Sequence, residues 1–149
     1  MIMDAKQEFC DEVAVNAAAG TALVGNVMDF GSFPPTFKGK DKLSLVITVS
    51  AAFTSGGSAT VAFQLVSDAA AAIATNGTAT VHAQIGPVAY TTLTAGKILV
   101  IPVGGTFTYE RYLGLLVVTA TATTTAGTIN AFLTDTPEDY VAHADAVSF

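Results

Sequence analysis

Apolar and polar side chains alternate in short runs along most of this chain. Leu43, Leu45, Ile47 and Val49 are interleaved with Ser44, Thr48 and Ser50. That period of two places one face of a strand in a core and the other in water. The turn residues Thr54-Ser55-Gly56-Gly57-Ser58 follow, and then Val61, Phe63 and Leu65 alternate with Thr60, Ala62 and Gln64. These two runs read as a hairpin. Farther on, Ala79, Val81, Ala83 and Ile85 oppose Thr78, Thr80, His82 and Gln84. Residues 97–103 are apolar on both faces, which predicts a strand buried on both sides. Residues 111–121 give the strongest strand, with Leu113, Leu115 and Val117 inward. Beyond an Ala/Thr tract over 119–125, Ile129, Ala131 and Leu133 mark the last strand, and residues 21–30 supply the first. The Ala-rich stretch from Asp68 to Thr75 predicts one or two helical turns capped by Asp68.

Three segments lack this rhythm. Residues 1–20 read as an arm, extended or a strand. Residues 31–41 form a loop, because Pro34 and Pro35 cannot donate to a ladder. Phe33 and Phe37 flank the prolines, and Lys38, Lys40 and Lys42 follow. Residues 136–149 are a tail with Tyr140, Val141, Val147 and Phe149 as apolar anchors. The organisation is one domain: an arm over 1–20, a sandwich over 21–135 and a tail over 136–149. Seven strands, eight if the arm contributes, with no long helix between them, predict an all-β antiparallel sandwich or barrel.

Charge narrows the function. The chain has 149 residues, is 12% charged and carries a net charge of -6. From Leu43 to Thr134 the only Asp, Glu, Lys or Arg residues are Asp68, Lys97, Glu110 and Arg111. A charged fraction about half the usual one predicts a surface partly covered in an assembly. Nothing forms the basic stripe that a nucleic acid requires. No apolar run of roughly 18 residues offers a spanning helix. Aromatic girdles and a signal peptide are missing too, so a membrane barrel is not expected.

Catalytic chemistry has little to draw on. The histidines are His82 and His143. His82 lies on a strand's polar face between Thr80 and Gln84 and reads as a surface or inter-subunit hydrogen-bonder, and His143 lies in the acidic tail near Asp139 and Asp145. His143 and Asp145 lack further ligands for a metal. Gly104-Gly105-Thr106 is not followed by the Lys of a phosphate loop. Cys10 is the single cysteine, which excludes an internal disulfide and fits a reducing cytoplasm. The expectation is no enzyme, no cofactor and no metal.

Four stretches carry a family likeness: the opening Met1-Ile2-Met3-Asp4 through Phe9; Leu43 to Asp68 with its Gly56-Gly57-Ser58-Ala59-Thr60 turn; Val103-Gly104-Gly105-Thr106 followed by Arg111-Tyr112-Leu113; and Thr125-Ala126-Gly127 leading to Ala131-Phe132-Leu133. In these the chain resembles the jelly-roll cement (decoration) proteins of tailed bacteriophages, of the Bordetella-podophage type. The loop over 31–41 is longer and more basic than that pattern. The resemblance implies a jelly roll on the outer surface of the virion, made in the host cytoplasm. It would bridge neighbouring major capsid protein subunits and sit as a homodimer. The residues expected to touch a partner are Ile2, Asp4, Phe9, Phe33, Pro34, Pro35, Phe37, Lys38, Lys40, Tyr140 and Phe149. Arg111 and Tyr112 are expected to be structural, Arg111 through a buried carboxylate or carbonyls. The rival reading is a sugar-binding or adhesive sandwich on a tail or fibre; the lack of Trp weighs against it.

Overall fold

A computed structural model of the chain describes residues 7–32, 43–103 and 108–137. Its strands are β1 (Glu8–Ala14), β2 (Gly20–Asp29), β3 (Ser44–Ser55), β4 (Thr60–Asp68), β5 (Thr80–Ala89), β6 (Ile98–Pro102), β7 (Tyr112–Ala120) and β8 (Thr124–Thr134). They form two four-stranded antiparallel sheets, ordered β1-β8-β3-β6 and β2-β7-β4-β5. Every connection except β4–β5 passes from one sheet to the other. This double Greek-key order is a jelly roll.

The alternating runs explain the core. Leu45, Ile47 and Val49 of β3 and Ile129, Ala131 and Leu133 of β8 face Val61, Phe63 and Leu65 of β4 and Leu113, Leu115 and Val117 of β7. Each is almost fully removed from water. Phe53 and Phe63 meet edge to face across the layers, 6.5 Å between centroids. A smaller cluster on the outer side of the second sheet joins Val66 of β4 and Leu116 of β7 to Ile73 and Ala79 of the β4–β5 connection.

Several expectations change. β3 and β4 do not form a hairpin, because they lie in opposite sheets. Period two fixes which face is buried but not which strand lies alongside, so a sheet-crossing arch and a hairpin share one pattern. β6 is not buried on both sides. It is an edge strand paired only with β3, and Val100 is 40% exposed. Residues 8–14 of the expected arm take its strand alternative and supply the eighth strand, along β8. The predicted helical turns at 69–75 are absent. Asp68 accepts from the N–H groups of Ala70 and Ala74 (both 3.0 Å) and so folds the loop without a helix. In β5 a register shift between the Leu65–Ala83 and Val66–Val81 pairs turns Val81 to solvent and His82 toward the core edge.

The register also sorts the two ends of the sandwich. At one end β7 turns into β8 through 121–123 and β3 into β4 through 56–59. At the other end Glu8 pairs with Phe132, Ser44 with Thr134 and Pro102, and Asp29 and Asp68 with Tyr112. The chain enters β1 and leaves β8 at this second end, and the connections β2–β3 and β6–β7 leave it as well.

Candidate partner-binding end of the sandwich

At the second end, short polar contacts lock the strand termini. Asp29 closes β2 and Arg111 precedes β7, and the two meet through Asp29 Oδ1 and Arg111 Nε at 2.7 Å and Oδ2 and Nη2 at 2.9 Å. Gly31 N–H donates to the same Oδ1 at 2.8 Å. The guanidinium also lies 4.9 Å from the centroid of the Tyr112 ring. Arg111 first, and Gly31 second, hold the Asp29 carboxyl down at about 2. The pairing raises the Arg111 guanidinium in turn. Both side chains are close to half exposed. The buried carboxylate expected for Arg111 is therefore a surface one, held by bidentate geometry rather than by burial.

A second lock lies farther inside. Ser67 is fully buried. Its Oγ accepts from Glu110 N–H at 3.1 Å and lies 2.7 Å from Nε2 of His82. With the imidazole neutral and its proton on Nδ1, the serine hydroxyl donates to Nε2; with the proton on Nε2, the ring donates to the serine oxygen. The His82 ring lies 4.2 Å from the Tyr109 ring. Burial pushes the His82 pKa down and the Tyr109 pKa up. The serine thus pins the approach to β7 against β4 and β5. Asp29, Ser67 and Asp68 all accept from backbone amides of their own chain, which makes this end a rigid frame.

The expected contact residues divide by position. Phe9 is 0% exposed and belongs to the core. The register shift between Glu8 and Cys10 lets both Phe9 and Cys10 point inward, so Phe9 has no free side chain to offer a partner. Cys10 Sγ lies 3.7 Å from Ile129 O, and burial pushes its thiol up to about 12, which leaves it inert. Tyr112 begins β7, partly buried beneath Arg111. Ile2, Asp4, Phe33, Pro34, Pro35, Phe37, Lys38, Lys40, Tyr140 and Phe149 lie outside the described residues. The strands that flank them place their points of departure together at the second end. Sequence reasoning missed Asp29 and Ser67. Asp29 was legible in part, as the acid nearest a strand end; Ser67 was one hydroxyl among many.

A family model described as Bbp16 matches residues 9–133, from the second residue of β1 to the penultimate residue of β8. The chain belongs to the Bbp16 family. No curated protein matches it. The Bbp16 match takes in all of the sandwich but its first and last strand residues, and the sequence of the loop with Phe33, Pro34, Pro35, Phe37, Lys38 and Lys40. Ile2, Asp4, Tyr140 and Phe149 fall beyond it.

Proposed function

We propose that this Bbp16-family protein is a capsid cement protein, a staple on the outer surface of an assembled icosahedral phage shell. It bridges neighbouring major capsid protein subunits, works as a homodimer, and has a mechanical role rather than a catalytic one. The observation that carries this reading is that the strand ends from which both terminal segments and the β2–β3 and β6–β7 connections depart lie together at one braced end of a jelly roll. A rigid body with several segments leaving one end can hold more than one subunit at once. Contacts of about 800 Å² per partner are enough for each specific interface. Holding two together adds avidity without any stronger single contact. A protein that binds only the assembled shell stabilises it by mass action. The sparse charge of the sandwich also suits a surface that packs among other protein.

The test is co-sedimentation of the purified protein with shells stripped of it, followed by heating. Binding at a copy number commensurate with the capsid subunits, with a higher temperature of DNA release, is expected. A handful of copies per particle, or binding to glycans in place of shells, would mark a tail or adhesive component instead.

A further inference from the structure

Among the described strands, β1 and β6 edge the first sheet and β2 and β5 the second. A regular open edge is a template for another strand, and natural sheets blunt it with bulges, charges and prolines. β1, β2 and β5 are blunted in this way. β1 has two register shifts and carries Glu8, Asp11 and Glu12. β2 has a shift between Val24 and Met28 and ends on Asp29. β5 has two shifts and holds Pro87. β6 differs: Ile98-Leu99-Val100-Ile101-Pro102 pairs with β3 without a shift and includes no charge. Its backbone polarity follows from its neighbours. Val49 N–H donates to the Lys97 carbonyl at 2.9 Å and Val103 N–H to the Leu43 carbonyl at 2.8 Å. Antiparallel bonding alternates, so Lys97, Leu99, Ile101 and Val103 direct their backbone groups to β3. Ile98, Val100 and Pro102 direct theirs to the open side, where no described strand meets them. The Val100 and Pro102 side chains are exposed as well.

We infer that the β6 edge receives a second copy of this chain: β6 pairs antiparallel with β6 about a two-fold axis at Val100, joining two four-stranded sheets edge to edge. The edge fits itself. In this register Val100 and the partner's Val100 exchange both of their backbone hydrogen bonds. Ile98 N–H donates to the carbonyl of the partner's Pro102, and symmetry repeats the bond. Pro102 has no N–H to leave unanswered. A register centred on Pro102 would place that proline where a donor is required. One centred on Ile98 would set Val100 against Gly96, which lies outside the strand. Charge points the same way. At a net charge of -6, two copies repel unless neutral faces meet. β5 lies against β6 and is likewise without charge, whereas the acids of β1 and Asp29 occupy the opposite flank. Lys97 falls opposite the partner's Val103. The two lysines are then about 20 Å apart at about 3.3 Å per residue, beyond the screening length of about 8 Å. That a second copy is the occupant rests on the homodimer proposed above, whereas the edge and the register follow from β6 itself.

Sedimentation of the full-length protein without shells tests the pairing. The wild-type chain should be a dimer. Val100→Lys sets like charges against each other at the two-fold and should weaken the dimer about tenfold or more, with circular dichroism unchanged because the side chain is 40% exposed. Mixed with Val100→Glu, it should form a dimer again. Ala14→Lys, the same charge on an exposed residue of β1 at the opposite flank, should leave the dimer intact. A wild-type dimer that Val100→Lys does not weaken would overturn the β6 pairing while the homodimer stands. A wild-type chain that stays monomeric at every concentration would overturn both. Shell binding is read separately, by co-sedimentation. Crosslinking gives an independent measure. Cys10 is buried, so the thiol of Val100→Cys is the accessible one. Hydrogen-bonded antiparallel partners lie about 5.5 Å apart at Cα, within reach of a disulfide. With oxidised glutathione as the oxidant, Val100→Cys should form covalent dimers far faster than Ala14→Cys. Equal rates would refute the pairing.

Discussion

Both carboxylate oxygens of Asp29 are engaged by Arg111, across the 82 residues that separate them in sequence. The pair binds the end of β2 to the start of β7, and it titrates. The Asp29 carboxyl sits below its ordinary value, so its contribution to stability is present above about pH 4 and is lost as pH falls toward about 2. Arg111→Gln should move the Asp29 midpoint upward, short of the ordinary value because Gly31 N–H still donates. The carbonyl carbon shift of Asp29, followed by NMR against pH, reads this directly. Because the pair is exposed, the variant should remain folded at pH 7.

Phe9 separates a core role from a contact role. Its side chain is wholly enclosed between the sheets. Phe9→Ala should therefore cost about 3–5 kcal/mol in chemical denaturation. A loss below about 1 kcal/mol, the range of surface changes, would return Phe9 to the surface.

Ser67 is expected to matter more than its size suggests. Ser67→Ala removes the acceptor for Glu110 N–H and the hydroxyl beside His82. Leaving buried polar groups unpaired should cost about 1–3 kcal/mol, seen as a lower denaturant midpoint with an unchanged slope.

His82 adds a pH dependence of its own. Its folded pKa lies below the ordinary value of about 6.5. The unfolded chain therefore takes up the proton first, and stability falls as pH drops below about 6.5 toward the lower folded value. His82→Gln should flatten that part of the stability profile, measured as melting temperature between pH 7 and pH 5.

Gly25 holds the corner where β2 passes beneath β1. It sits at φ +74°, and a Cβ there would collide with the Phe9 carbonyl oxygen and lie 2.7 Å from Cys10 Cβ. Backbone cannot yield as a side chain can, so Gly25→Ala should cost about 3 kcal/mol, the upper range for overpacking. Gly20→Ala, also at positive φ but in open space, serves as the comparison and should lose less.

The class of fold could be read from the alternation itself. Leu43 to Ser50 and Arg111 to Thr121 lie where the pattern put them, because burial on one face is a local property of a strand. Pairing is not local. β3 and β4 resemble a hairpin in sequence and yet part into two sheets, since the arch between them uses the same Gly-Ser turn. Val81 and His82 exchanged faces through a one-residue register shift that leaves no compositional trace. Val100 was misread because an apolar edge strand looks like a central one. Arg111 called for a carboxylate, but Asp29 became its partner only once the ends of β2 and β7 were brought together. For the contacts, sequence singled out segments and topology gathered their roots; Phe9 alone among the named residues lies within the described chain, and it faces inward.

Among the described strands β1 pairs with β8 alone, and this sets an order of events at the ribosome. β1 has no partner among the described strands until β8 has emerged, and β2 must likewise wait for β7. The sheets close by long-range pairing, the slow regime of folding. Until then the apolar faces of β3 and β4 stand open in a crowded cell. The nascent chain is thus most exposed to aggregation until β7 and β8 have emerged.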